Sequence, residues 1–475
     1  MALGRDIYHD FPDHPFRPVA PGPQRAAVAI VGAGPVGLTL AAGLAAQGVP
    51  HVLLEARASV SFGSRATCIS RRSIEIWERF GVAGGTLAKG LGWTAGRSFW
   101  RDHDVLRFEM PNAPGDKHPP MVNIQQCYAE HFVLQDLATR PECDLRWHST
   151  VRRATPGPSV VRLEVATPQG EYALDADWVV ATDGARSSLR DAVGLKLEGD
   201  SYEGRYLIAD IRLRSKHPTE RRAWFDPASN PGSTVLMHRQ PDDIWRIDYQ
   251  LREDEDPEQE VQEERVRARI SAHLAMIGEP PEYDLIWISL YRAHTLTLPR
   301  YRAGRVLFAG DAAHLVPIFG VRGLNSGIDD AGNLAWKLAA VVKGEGGEAL
   351  LDSYSEERVY AAHENIRQSR KSTLFMTPPS NGFALMRDAA LSLAVSHDFA
   401  RPLVNPRQTT AITFPESRLQ TPDDARWTAG PVPGATLPNL PLPGGGHLLD
   451  HLRHRPLLLL APEEAPPPER AGLDR

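Results

Sequence analysis

The segment Gly32-Ala33-Gly34-Pro35-Val36-Gly37 places glycines at the three positions of GxGxxG, directly behind the small-apolar run Ala26–Val31. That spacing suits a pyrophosphate. Gly32 makes the tight turn, Gly34 lets the backbone approach the phosphates, and Gly37 lets the next helix pack on the strand. The helix opened by Pro35 and Val36 offers free N–H groups and about half a positive charge to an anion. Glu55 follows about 20 residues later, where a carboxylate can accept from the hydroxyls of an adenosine ribose. An acid there favours a free 2′-hydroxyl. The turn alone leaves NAD and FAD both open.

Two later turns repeat the arrangement of strand, carboxylate and helix. Asp183-Gly184 follows the apolar run 178–182, with Arg186 and Ser187 opening a helix, and Gly310-Asp311 ends the run 305–309. A carboxylate at such a turn suits a sugar-alcohol chain, because it accepts hydrogen bonds and adds no donor. Helix capping is the competing use of either Asp alone. Gly323-Leu324-Asn325 opens a further helix, whose N–H groups can face a ring carbonyl that gains negative charge. His314 offers itself as a base. No GxSxG or HExxH occurs, so neither a side-chain nucleophile nor a metal set is expected.

These groups need a scaffold. Ala26–Val31, the glycine turn, a helix through 38–47 and a strand ending at Glu55 make a βαβ unit. Helical periodicity returns at Arg72–Phe80, Gln126–Thr139, Ser326–Val342 and Leu350–Phe375, the last stopped by Pro378 and Pro379. Between about 150 and 295 the period changes from 3.6 to 2. Trp245, Ile247, Tyr249 and Leu251, for example, alternate with Arg246, Asp248, Gln250 and Arg252, which reads as half-buried antiparallel strands. The fold class expected is α/β: a Rossmann-like dinucleotide domain with an antiparallel β-sheet substrate domain.

Composition narrows the function classes. The chain has 475 residues, 42% hydrophobic and 24% charged, with a net charge of −6 and no long basic run. That argues against a nucleic-acid binder or a membrane anchor. Three scattered cysteines, Cys68, Cys127 and Cys143, suit free thiols in a reducing compartment. No targeting segment or apolar spanning stretch stands out, so a cytoplasmic protein is expected. Oligomeric state stays open, a homo-oligomer among the options.

The ordered set GxGxxG, Asp-Gly and Gly-Asp resembles the single-component FAD-dependent aromatic hydroxylases, the para-hydroxybenzoate hydroxylase group. The strings at 64–77, 123–130 and 322–339 are similar to its phenol, hydroxyphenylpropionate and polyketide hydroxylase branch. The resemblance covers roughly 26–376. It implies FAD as cofactor, NAD(P)H as co-substrate, and hydroxylation of a small aromatic substrate with O2 through a flavin C4a-hydroperoxide, the protein orienting the ring and helping to ionise the phenol. Position by position it implies that Gly32, Gly34, Pro35, Val36, Gly37 and Glu55 hold the AMP half. Arg65 and Gln126 reach the pyrophosphate and ribityl region. Gly310 and Asp311 hold the ribityl chain. Gly323, Leu324 and Asn325 follow the isoalloxazine edge. Asp183, Gly184 and Arg186 serve both FAD and NAD(P)H.

No catalytic side chain is assigned outright; Pro317, His238 and Tyr249 are carried as candidates. Tyr206, Trp224, Tyr291 and His294 join His238 and Tyr249 as candidates for the substrate floor, against the alternative of aromatic core. The loop 317–323 departs from the family's Pro-Pro-x-Gly-Gly-x-Gly: Ile318 replaces a proline and Val321 a glycine. The expected organisation is an N-terminal arm, mobile (1–25); FAD-binding parts at 26–92, 119–200 and 296–376; substrate-domain parts at 93–118 and 201–295; and a helical connector with a Pro-rich, truncated thioredoxin-like tail (377–475). The alternatives are another FAD oxygenase on this scaffold, Baeyer–Villiger or epoxidase, and a flavin-free binding module of the dissociation-inhibitor type.

Overall fold

The computed structural model describes residues 11–20, 22–317, 319–405, 408–420 and 431–452, without the side chains of 201–203 and 292–293. Ile318, the apolar run 457–462 and all the rest of the tail from residue 453 lie outside the described residues.

β1 (Gln24–Val31) has a fully buried second half. Small apolar side chains let it be covered on both faces, as parallel strands are. α1 (Pro35–Ala46) follows, with Pro35 at its first position, where a missing N–H breaks no helical bond. β2 (His51–Leu54) then runs parallel to β1. β3 (Cys68–Ser70) leads into α2 (Arg71–Arg79), whose Trp77 is buried with its indole N–H donated to Thr39 at 2.8 Å. α3 (Gln126–Leu137) packs against α1. β4 (Gly170–Ala181) is parallel to β1 on the side away from β2, and α4 (Ser188–Ala192) follows it.

The chain next builds most of an eight-stranded sheet. Its antiparallel body is β5 (Glu198–Arg212), β6 (Arg221–Phe225), β7 (Thr234–Arg239), β8 (Ile244–Leu251) and β9 (Asp284–Thr297), in the spatial order β9-β5-β8-β7-β6. Beyond β6 lie the earlier strands Ala95–Trp100 and His103–Glu109. β10 (Val306–Phe308) returns to the first sheet, parallel to β4. α5 (Gly323–Val342), α6 (Ala349–Met376) and α7 (Asn381–Ser396) complete the part described here.

One feature of the register positions the site. Leu54, Val31, Ala181 and Phe308 are lateral neighbours across four adjacent parallel strands. Each strand therefore ends at the same edge, and the next residues are Glu55, Gly32, Thr182-Asp183 and Ala309-Gly310-Asp311. Ligands of such sheets bind at this carboxyl edge, where strand order reverses. In the order β10-β4-β1-β2 the reversal falls between β4 and β1.

Two expectations need correction. Residues 11–20 are not a free arm: the His14 ring stacks on Trp147 at 4.5 Å, the Phe11 ring meets Tyr128 edge-on at 5.2 Å, and the His14 N–H donates to the Ala58 carbonyl at 2.7 Å. The two aromatic rings supply the packing surface that the prolines lack. In addition, β8 is buried on both faces rather than one. Trp245, Ile247 and Tyr249 join a core beneath the sheet, while Arg246 and Asp248 face the other way.

Candidate functional site

A cleft of about 1260 Å³ runs from the edge of the parallel sheet to the upper face of the antiparallel one. It exceeds the roughly 300–1,000 Å³ of ordinary small-molecule sites. Its walls include Gly32, Gly34, Pro35, Val36, Glu55, Arg65, Gln126, Asp183, Gly184, Arg186, Asp311, Pro317, Gly323, Leu324 and Asn325. Most of the dispersed sequence motifs thus meet in one space. Gly37 and Gly310 stand directly behind the wall. A Cβ on Gly37 would lie 2.0 Å from the Gly32 carbonyl oxygen, and one on Gly310 would lie 2.9 Å from the Val36 side chain.

The glycine turn has the features an anion needs. Gly32 has φ +103, a left-handed backbone that favours glycine. Gly34 caps α1 with no side-chain hydrogen bond, so the first N–H groups of a buried helix point outward. A Cβ built on Gly34 meets nothing within 4 Å. The Glu55 carboxylate accepts from the Ala33 N–H at 2.7 Å and from the backbone N–H and Nε of Arg57, both at 2.9 Å. Burial would raise this carboxyl; the Arg57 hydrogen bonds and charge, with the Ala33 N–H, hold it below the ordinary range instead.

The other carboxylates differ in use. Asp183 accepts from the N–H groups of Ser188 and Leu189 at 2.9 and 3.4 Å, which is a cap, yet its Oδ1 has no partner among the described residues. Burial raises its pKa. Asp311 has no hydrogen bond among the described residues and opens onto the cleft. Surrounding protein raises its pKa against the charges of His314 and Arg65. His314 itself lies behind the wall, its Nε2 2.7 Å from Asp330 Oδ2.

Loop 317–323 is anchored from three sides. Asn325 Oδ1 accepts from the Ser70 N–H and the Ser73 hydroxyl, both at 2.8 Å, and its Nδ2 donates to the carbonyls of Cys68 and Val321. Its amide therefore serves the scaffold, and what it offers the cleft is backbone. Arg322 turns inward to Asn365 Oδ1 and the Gln408 carbonyl, both at 3.2 Å. Val321 has φ +54. A left-handed conformation costs a residue with a Cβ about 1–2 kcal/mol, whereas glycine there would add roughly 0.4–1 kcal/mol of unfolded-state entropy. Val321→Gly is thus expected to stabilise the protein by up to about 1 kcal/mol, read from urea unfolding midpoints. A lower midpoint would mean that the contacts of Val321 with the Cys68–Trp93 cluster outweigh the strain.

Among the floor candidates, His238 and Tyr291 line the cleft. Tyr249 does not: strand parity sends it to the opposite core, with Arg269 5.1 Å from its ring centroid. Trp224 goes the same way and stacks on Phe99 at 5.1 Å. The Tyr206 hydroxyl lies 2.5 Å from Thr377, and neither Tyr206 nor His294 reaches the cleft wall. Sequence reasoning passed over Arg57, Glu130, Arg221, Arg246 and Asp248, all on the wall. Glu130 is fully buried and accepts from the Ser61 N–H at 2.5 Å and from Gln126 Nε2 at 2.8 Å. Its signal was an acid four residues beyond Gln126 on the inner face of a helix.

Comparison with known proteins decides which dinucleotide belongs here. The family model described as FAD binding domain matches residues 25–369. The chain belongs to this FAD-binding family. FAD is its cofactor, and the uncapped α1 terminus, the open face of Gly34 and the unpartnered Asp311 carboxylate fit that group. A 3-(3-hydroxy-phenyl)propionate/3-hydroxycinnamic acid hydroxylase of Mycolicibacterium smegmatis is 31% identical to this FAD-binding protein over 365 residues, which is 76% of this chain and 63% of the relative. One from Burkholderia vietnamiensis is 30% identical, covering 78% and 67%. The chain spans less than two thirds of the length of most of the relatives of this kind. The solved structure of OxyS anhydrotetracycline hydroxylase from Streptomyces rimosus is similar with a TM-score of 0.65 and 26% identity, over 90% of this chain and 83% of that one. The p-nitrophenol 4-monooxygenase PnpA of Pseudomonas putida DLL-E4 shares the fold at a TM-score of 0.68 and 24% identity, over 80% and 96%. Among the described residues no helix is long and apolar enough to cross a membrane, and no cluster of potential metal ligands occurs.

Proposed function

We propose that this protein is a monooxygenase that uses FAD, NAD(P)H and O2 to hydroxylate a phenolic or related small aromatic ring. One observation carries the reading: a single cleft joins the glycine turn to a walled floor on the antiparallel sheet, so a flavin on the first would face a substrate on the second. In this reading Gly32, Gly34, Pro35, Val36, Gly37 and Glu55 hold the AMP half, and Arg65 and Gln126 flank the pyrophosphate. Asp183, Gly184, Arg186, Gly310 and Asp311 serve the central hydroxyls. Gly323, Leu324 and the Asn325 backbone border the ring. Residues 26–92, 119–200 and 296–376 form the FAD part, 93–118 and 201–295 the substrate part, and 377–475 an appended connector and tail. The three cysteines, all free in the structure, accord with a cytoplasmic setting.

Bound FAD supplies the redox chemistry and the activation of oxygen. The chain's own residues orient the aromatic ring, keep water away and manage protons. Pro317, Ile208, Leu236, Trp287 and Tyr291 give the apolar and aromatic part of the wall. The test is NAD(P)H consumption across a panel of phenols with product analysis. Hydroxylated product is expected; NAD(P)H oxidation that yields only hydrogen peroxide with every phenol would refute the reading.

The cofactor roles can be tested separately. Glu55→Ala is expected to weaken FAD binding by about 1.5–3 kcal/mol, roughly 10–150-fold, the value of a charged hydrogen-bond partner. Turnover at saturating FAD should stay within about threefold of wild type. Unchanged FAD affinity in equilibrium dialysis would remove Glu55 from the site.

A further inference from the structure

The face of the antiparallel sheet that looks into the cleft is unusually rich in ionisable groups. Arg246 on β8 pairs across the strands with Asp210 on β5, Nε to Oδ1 at 3.0 Å. Asp248, two residues on, shares that face. His238 on β7 lies opposite Arg246, and Arg221 opens β6 beside it. The relative exposures of Arg221, His238, Arg246 and Asp248 are 4%, 5%, 4% and 7%. All four line the cleft.

Buried groups of this kind are costly unless they are partnered. Arg246 and Asp210 partner each other. Asp248, Arg221 and His238 each keep an atom with no hydrogen-bond partner among the described residues: Oδ1, Nε and Nδ1. The Arg246 Nε stands 4.0 Å from Asp248 Oδ1, outside hydrogen-bond range. Arg221 has no ion pair among the described residues, and its Nη1 donates to Gln408 Oε1 at 3.0 Å. Beside the Arg246–Asp210 pair, the sheet face thus offers a carboxylate acceptor at Asp248, a guanidinium donor at Arg221 and an imidazole nitrogen at His238.

We propose that Asp248 is the base that removes the proton from the substrate's phenolic hydroxyl, and that Arg221 holds the phenolate so formed. This rests on the hydroxylase reading above. A ring hydroxyl complements the constellation, since it donates once and accepts at the same atom. A carboxylate would meet Asp248 as a like charge, and an ammonium group would meet Arg221. In the step, the phenolic O–H bond breaks and the proton bonds to Asp248 Oδ1. The electron pair stays on the oxygen beside the Arg221 guanidinium. After the ring has reacted, the proton returns to that oxygen.

The surroundings suit the roles. Burial raises Asp248 to about 6, against the charges of Arg246 and Arg221 and with that of Asp210. It is thus a stronger base than an ordinary carboxylate and still ionised at neutral pH. Burial and the charges of Arg221 and Arg246 push His238 well below its usual range, so its imidazole is a neutral neighbour and a poor proton acceptor. The titratable and charged groups around Asp248 are Asp210 and Tyr206 on β5, Arg246 on its own strand, His238 on β7, Arg221 on β6 and Cys68 on β3. Cys68 and Tyr206 are held protonated by burial.

The test uses FAD-loaded wild type and Asp248→Asn. With 4-nitrophenol as probe, below the probe's own pKa, wild type should bind it as the coloured phenolate and the variant as the neutral phenol. For weakly acidic phenols kcat should fall at least about 100-fold, with KM within about threefold. The deficit should shrink for phenols already ionised in solution. A structural defect would slow all phenols alike. Arg221→Gln is the second variant, expected to raise the bound probe's pKa by at least about one unit; it decides the matter if Asp248→Asn fails to retain FAD. Neutral probe on wild type, or a deficit independent of phenol acidity, overturns the assignment and leaves the hydroxylase reading standing if product forms. No phenol hydroxylated by wild type overturns that reading and this inference with it.

Discussion

Asp330→Ala is expected to destabilise the protein by about 3–5 kcal/mol, the usual consequence of breaking a buried ion pair from one side. Asp330 lies on α5 with no exposed surface. Its Oδ1 accepts from Arg358 Nε at 2.6 Å; its Oδ2 accepts from the Gly310 N–H at 2.9 Å and meets His314 Nε2 at 2.7 Å. Alanine would leave a fully buried guanidinium whose remaining contacts are the Ser326 carbonyl and hydroxyl at 3.2 and 3.3 Å. It would also release the turn that presents Asp311 to the cleft, so FAD content should fall with stability. Burial alone would raise the Asp330 carboxyl, but the charges of Arg358 and His314 hold it below its ordinary value. A depressed folded pKa means stability that is present above the unfolded value of about 3.9 and lost as pH falls through the folded value. The gap between wild type and variant in urea unfolding should therefore be full at neutral pH and shrink in acid. A gap below about 1 kcal/mol at neutral pH would show that the cluster does not carry this stability.

What the sequence made legible follows from which forces act locally. The βαβ unit was readable because a small-apolar run, three glycines, a helical stretch and a second apolar strand occur within about 30 residues. Its tightest contact, between Gly37 and the Gly32 carbonyl, lies within the unit, although Thr182 also crowds both glycines from the neighbouring strand. The antiparallel strands were legible as alternation. Alternation separates two faces without saying which one is covered by the rest of the chain. Tyr249 and Trp224 looked like site material because they are aromatic, yet they fill the far core; Arg246 and Asp248 looked solvated because they are charged, yet they form the cleft floor. The partners of loop 317–323 were illegible for a different reason. Arg322 meets Asn365 and Gln408, and Asn325 meets Cys68 and Ser70, all contacts between residues far apart in the chain. Nothing in the local pattern at either end announces such a pair. Val321 belongs between these cases: its departure from glycine was visible, but only the backbone angle shows that it is strained.

The contrast between two glycines of one motif gives the sharpest test of the cleft. Gly37 is needed by the protein itself. A Cβ there would stand 2.0 Å from the Gly32 carbonyl oxygen and 2.7 Å from the Thr182 hydroxyl, so the turn or the helix must move. Gly37→Ala is expected to lower stability by about 2–3 kcal/mol even without FAD, in line with the usual 1–3 kcal/mol for overpacking plus loss of the turn's hydrogen bonds. Gly34 is not needed by the bare protein: a Cβ there meets nothing within 4 Å, and its φ of −74 is open to any residue. Gly34→Val should alter the stability of the FAD-free protein by about 1 kcal/mol or less, the scale of an N-cap change. The space it fills is the space through which a pyrophosphate would approach the N–H groups of α1. FAD affinity should therefore fall at least about 100-fold, or roughly 2.7 kcal/mol of binding free energy. Unfolding of the apoprotein and FAD titration of both variants separate the two effects. If Gly34→Val binds FAD as wild type does, the pyrophosphate does not lie at the α1 terminus. If Gly34→Val instead unfolds the apoprotein as severely as Gly37→Ala, the open face of Gly34 is structural and says nothing about a ligand.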